Sequence, residues 1–134
     1  MSFLSTTALV LLAVFVGFFG LQLFMVRRMR KQQGQPAPSL QGEAGARIKG
    51  GKPALFYFYS PACGACRSMT PVIRKLAGSG PGVFPVDVSQ DLDTARSFGV
   101  MATPTTILVR GGVVEKVLVG AQPEATLQGL VSAA

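Results

Sequence analysis

The sequence predicts an α/β fold: a four-stranded mixed sheet flanked by helices, preceded by one N-terminal transmembrane helix. Three observations carry this expectation. Residues 8–21, ALVLLAVFVGFFGL, contain no polar side chain. From Pro53 onward, apolar or β-branched runs alternate with segments of helical spacing in the order β-α-β-α-β-β-α. Two of those runs are joined by Gly111-Gly112, a two-residue hairpin signal.

The first element is the apolar run. Counting on to Val26 adds only Gln22, giving about 19 near-continuous apolar residues, enough at about 1.5 Å each to cross a bilayer core of about 30 Å. The rest of the chain is too small to bury such a helix as a core element. A cleaved signal peptide is disfavoured, because MSFLSTT carries no Lys or Arg and LQLFMVRRMRK offers no Ala-x-Ala exit. Residues 1–26 are therefore expected to be an uncleaved single-pass anchor, of the kind found in a bacterial inner membrane. The basic residues Arg27, Arg28, Arg30 and Lys31 all follow it. By the positive-inside rule they place the remainder in the cytoplasm, with a periplasmic domain as the alternative.

The formal charge of +7 belongs mostly to this exit segment. Beyond residue 50 the balance is seven basic against five acidic side chains. No aromatic-basic interleaving accompanies it, so nucleic acid is not an expected partner, whereas anionic lipid head groups are.

Residues 27–52 are rich in Gly, Pro, Gln and Ala and read as a basic flank followed by a flexible linker, with at most a short helical turn near Leu40 to Ile48. Such a tether spans about 25 Å root-mean-square, which favours membrane-associated clients. GARIKGGKP is not a phosphate loop: Lys52 precedes Pro53, and the earlier glycine is missing.

Residues 53–134 form the predicted domain. ALFYFYS (54–60) is a continuous apolar-aromatic run, as in a strand covered on both faces. CGACRSMTPVIRKLAG (63–78) places Cys66, Met69, Thr70, Ile73, Leu76 and Ala77 at helical spacing. VFPVDV (83–88) is a second strand, and Pro85 assigns it to a sheet edge. DLDTARSFGV (91–100) is a short helix that Asp91 can cap. TTILVR (105–110) and VVEKVLVG (113–120) make the hairpin, and PEATLQGLVSAA (123–134) is a last helix. The first β-α-β unit crosses over to a parallel pair, and the hairpin adds an antiparallel one.

The chemistry lies in SPACGACRSMTP (60–71), which holds the only two cysteines. Cys63 falls at the end of the loop after the first strand and Cys66 in the first helical turn. Cys63 then faces unpaired backbone N–H groups, which favour a thiolate. Cys66, one turn on, can attack a mixed disulfide formed at Cys63. Two cysteines can also be small core residues, but CxxC between a strand and a helix is a specific redox context. Pro71 removes one ladder bond from that helix. With no His in the chain, Cys-His catalysis and His-metal sites are excluded.

Residues 52–134 resemble the thioredoxin family in a shortened form. The resemblance rests on Cys63, Gly64 and Cys66, on Pro71, on Thr103-Pro104 in GVMATPTTILV, and on Gly120. It implies a thiol–disulfide oxidoreductase with Cys63 attacking and Cys66 resolving, needing no cofactor and no metal. It further implies a cis-Pro104 against the disulfide and a Thr103 backbone that pairs with an extended substrate. The partners implied are protein disulfides and an unidentified electron donor, and reduction of protein disulfides is the favoured direction. The departures are Ala62 for the family's Trp, Ala65 for the Pro between the cysteines, Tyr57 for a buried Asp, and Pro85 for its Lys partner. The family's first strand and helix are expected to be missing. Two other readings stand beside this one: a non-catalytic docking module, and a thiolate site for Cu(I) or Zn(II) completed by a second chain.

Overall fold

A computed structural model of the chain describes residues 2–133. Helix α1 (Ser2–Arg30) is followed by α2 (Gly42–Lys49), β1 (Ala54–Tyr59), α3 (Cys66–Gly78), β2 (Val83–Asp87), α4 (Leu92–Ser97), β3 (Thr105–Arg110), β4 (Val113–Val119) and α5 (Glu124–Ala133). The sheet order is β2-β1-β3-β4. β1 and β2 pair in parallel, while β1–β3 and β3–β4 are antiparallel.

β1 is central, and its unbroken apolar run follows from that position. Alternate side chains leave on opposite faces. Ala54, Phe56 and Phe58 enter one core with Ile107, Val109, Phe98 and Ile48. Leu55 and Tyr57 enter the other, with Met69 and Ile73 of α3 and Leu127 and Leu130 of α5. β2 is the outer strand, and Pro85 pairs with Tyr57 there. A residue without an N–H is tolerated at such an edge because no further strand needs its donor.

The segment expected to be a flexible linker is not free. Pro36 forms a bridge with Val113, supported by bonds from Gly34 N to Val114 O (2.7 Å), Val114 N to Gln35 O (2.9 Å) and Ala37 N to Gly112 O (2.8 Å). α2 then lies on the sheet, with Ile48 buried and Ala37, Leu40 and Ala44 packed against the same core. Gly45 is where the chain turns back on itself: a Cβ there would run into the Leu40 carbonyl. The expectation of a flexible linker is thus corrected, while the short helical turn allowed near Leu40 to Ile48 is present as α2. The apolar contacts come from Ala37, Leu40, Ala44 and Ile48, spread through a Gly-rich stretch, too sparse a pattern to announce the packing.

α1 is long and apolar enough to cross a membrane, and its most apolar window has no buried residues. Its last turn is different. Met29 is only 2% exposed and belongs to the core cluster that includes Phe98 and Val114. The Gln32 side chain also lies against the backbone of Gly99, in the loop after α4.

Candidate active site

The loop from Ser60 to Ala65 is closed by local backbone bonds. Cys63 N donates to Ser60 O at 3.1 Å, and Arg67 N donates to Gly64 O at 3.3 Å. α3 starts at Cys66 after Ala65, whose side chain cannot cap it. The first free helical donor is used by sulfur instead: Cys66 N–H donates to Cys63 Sγ at 3.2 Å. Cys63 and Cys66 form a disulfide with Cα atoms 5.3 Å apart. Cys66 is 2% exposed, whereas Cys63 is only partly covered. Gly64 and Ala65, between them, are exposed.

Thr103 and Pro104 come to the same end of the sheet. β1 and β3 pair Phe58 with Thr105. Continuing that antiparallel register sets Pro104 across from Tyr59 and Thr103 across from Ser60. Ser60 and Thr103 line one shallow cavity of about 330 Å³ with Met101 and Leu92. The Thr103–Pro104 peptide bond is cis. Pro104 is buried, its carbonyl accepts from Gly120 N at 2.8 Å, and Thr105 Oγ1 donates back to Ala102 O at 2.7 Å. Pro71 sits inside α3, exposed, and lines a second cavity, of about 370 Å³, together with both cysteines.

Behind Cys66 lies a pair of hydroxyls. Thr70 Oγ1 donates to the Cys66 carbonyl at 2.8 Å, and Tyr57 Oη is 3.2 Å from Thr70 Oγ1 and 3.4 Å from that same carbonyl. Tyr57 is fully buried and its ring stacks on Tyr59. Burial pushes its phenol above the ordinary range; the Thr70 bond opposes the shift and Tyr59 adds to it. Thr70 was legible only as a helix-face residue. Its spacing of four from Cys66 is the signal that it could bond back to that carbonyl.

Sequence reasoning also missed Asp87, at the C-terminal end of β2, which joins Tyr59 in the second cavity. Its carboxylate accepts from Ser89 N at 2.9 Å and from Ser89 Oγ at 2.6 Å. The available signal was topological, since the carboxyl ends of parallel strands are where α/β sheets gather functional groups. Among the described residues, no group of three or more metal-ligating side chains is brought together.

The thioredoxin family model matches residues 45–133. The chain belongs to the thioredoxin family. Its catalysis is accordingly thiol–disulfide exchange, and the chain is a thiol–disulfide oxidoreductase with Cys63 and Cys66 as its cysteine pair. Thioredoxin from Alicyclobacillus acidocaldarius is 38% identical over 84 residues, covering 60% of this chain and 80% of that protein. Thioredoxin from Bacillus subtilis is 35% identical over 78 residues, covering 56% and 75%. Among solved structures, a mutant thioredoxin from Halobacterium salinarum superposes with a TM-score of 0.57 at 28% identity, covering 75% of this chain and 95% of that one. Oxidized mitochondrial thioredoxin 3 from Saccharomyces cerevisiae gives 0.54 at 31% identity, covering 65% and 84%. The family match begins inside α2, so α1 and the segment after it lie outside it.

Proposed function

We propose that this thioredoxin-family chain is anchored in a membrane by α1 and reduces disulfides of membrane-associated proteins. Cys63 is the attacking thiol and Cys66 the resolving one. The carrying observation is the asymmetry of the two sulfurs: Cys63 is the more accessible and receives the Cys66 N–H, while Cys66 is buried. A donor aimed at sulfur favours the thiolate, which is the nucleophile.

In the reductive direction the Cys63 thiolate attacks one sulfur of a client disulfide. The client's other sulfur leaves as a thiolate and takes up a proton. Cys66, deprotonated, then attacks Cys63 Sγ and expels the client's first thiol. The dithiol has lost two electrons, the client disulfide has gained them, and an external dithiol donor restores the reduced state. The Thr103 backbone beside cis-Pro104 receives the client strand by main-chain pairing, and Gly64 and Ala65 leave Cys63 open to it. Pro71 removes a ladder bond from α3 near the site.

The basic run Arg27–Lys31 after the anchor favours a cytoplasmic domain, and that compartment keeps thiols reduced. The test is the reduction potential of the full chain in uncharged detergent, equilibrated with dithiothreitol buffers and read by thiol trapping. A couple near about −270 mV fits a reductant, and one near about −120 mV would make the chain an oxidant. Membrane insertion is read separately: α1 should resist alkaline carbonate extraction, and a soluble chain would end the anchoring proposal.

A further inference from the structure

Two cavities share Ser60 near the disulfide, and they differ in charge. The one toward Thr103 contains no charged side chain. The one toward α3 is bordered by Arg67 and Arg74 together with both cysteines, Tyr59 and Asp87. Arg67 and Arg74 are seven residues apart on one helix, hence on one face and about 10 Å apart along the axis. Both are exposed, and neither has an ion-pair partner among the described residues. Asp87, the single carboxylate at the cavity, is already engaged by Ser89. The α3 side of Cys63 therefore presents two exposed guanidinium groups, spaced along about three residues of an extended peptide, against the one carboxylate of Asp87, an excess of one positive charge.

We propose that this cavity is a specificity site for carboxylates, and that the preferred client carries Asp or Glu beside its reacting cysteine. The inference rests on the disulfide-exchange chemistry assigned above. A client strand held at Thr103 reaches past Cys63 toward α3. Acidic side chains there meet the guanidinium pair, whose planar fork matches a carboxylate. Each exposed pair is expected to change the rate about threefold, and two pairs about tenfold, at low ionic strength.

The test uses the reduced full chain in uncharged detergent and two peptides that differ only in Asp or Asn on both sides of one cysteine. Each peptide is supplied as its mixed disulfide with 2-hydroxyethanethiol. Exchange yields the Cys63–Cys66 disulfide, the free peptide and free 2-hydroxyethanethiol, so two electrons pass from the dithiol to the mixed disulfide. The readout is the Asp/Asn rate ratio within each protein, which cancels the folded fraction and the intrinsic reactivity of Cys63. Wild type is expected to give a ratio about a hundredfold above that of Arg67→Glu/Arg74→Glu, with Arg67→Gln/Arg74→Gln between them. In 0.5 M salt the three ratios should converge to within about twofold. Equal ratios at low salt in wild type and the charge-reversed variant would overturn the proposal. If no protein reacts with either peptide, disulfide exchange itself fails and the charge argument falls with it.

Discussion

Removing the Tyr57 hydroxyl tests how the buried cysteine, Cys66, is supported. Tyr57→Phe keeps the fully buried ring stacked on Tyr59 and deletes one oxygen. That oxygen makes two long contacts, at 3.2 Å to Thr70 Oγ1 and 3.4 Å to the Cys66 carbonyl, while Thr70 keeps its own shorter bond to that carbonyl. One neutral hydrogen bond with an intact fallback is worth about 1 kcal/mol. With a urea m-value of about 1 kcal/mol/M for a domain of this size, the unfolding midpoint at neutral pH should fall by about 1 M. The pH dependence adds a sign. Burial raises the folded phenol above its unfolded value of about 10. The unfolded chain therefore releases this proton first. The contribution of the neutral phenol is complete below pH 10 and is lost as pH rises through the folded value. Wild type and Tyr57→Phe should thus approach each other in stability above pH 10, followed by circular dichroism of the full chain in uncharged detergent. Parallel curves from pH 7 to 11 would refute the burial argument. A loss beyond about 3 kcal/mol at neutral pH would show that the hydroxyl holds more than these two contacts.

Three further outcomes are expected. Cys66→Ser should accumulate mixed disulfides through Cys63 that reducing agent releases on gels, and Cys63→Ser should not; the reverse pattern would exchange the two roles. Met29→Asp places an unpaired carboxylate in a site 2% exposed, at a cost of several kcal/mol that the chain avoids by releasing the segment. Tryptic cleavage at Arg30 and Lys31 should rise at least about tenfold while the domain stays resistant, and an unchanged rate would contradict the docking of Met29. Gly45→Ala should cost about 1–3 kcal/mol, because its methyl meets backbone that cannot rotate away. Amide protection across 42–49 should then fall before that of β1, whereas equal protection would exclude the close approach at Leu40.

The sheet was legible because its constraints are local. A run such as 54–59 is apolar on both faces only if helices cover both, and Pro85 is tolerable only where no outer strand needs its N–H. The cysteine pair was legible for the same reason, since a strand end and a helix start are one short loop apart. The docking of residues 34–49 was not, although a short helical turn near Leu40 to Ile48 was. Their attachment to β4 is made by backbone groups of Gly34, Gln35 and Ala37, which leave no trace in side-chain pattern, and by sparse apolar residues inside a linker-like composition. The Tyr57–Thr70 pair and the meeting of Arg67, Arg74 and Asp87 share another cause. Each joins groups from separate elements, and only the crossover between β1 and β2 brings them to one end of the sheet.

Those docked residues change how the active site can reach a client. A free linker of about 20 residues would let the domain wander over about 25 Å. Here the chain leaves α1 at Arg30, makes one turn through Gln33 and is fixed to β4 from Gly34, with Met29 already in the core. The slack left between helix and sheet is three residues, Lys31 to Gln33, too few to move the domain independently. With α1 in a bilayer, as proposed, the near-continuous apolar stretch from Ala8 to Val26 spans about 29 Å and holds the basic exit at the head groups. The disulfide then stays at one height above the membrane instead of searching a volume. A client must present its own disulfide at that height. That restriction favours a membrane protein with a juxtamembrane cysteine pair over a soluble protein of equal intrinsic reactivity, and it arises from packing alone, before any side chain near Cys63 contributes to the choice.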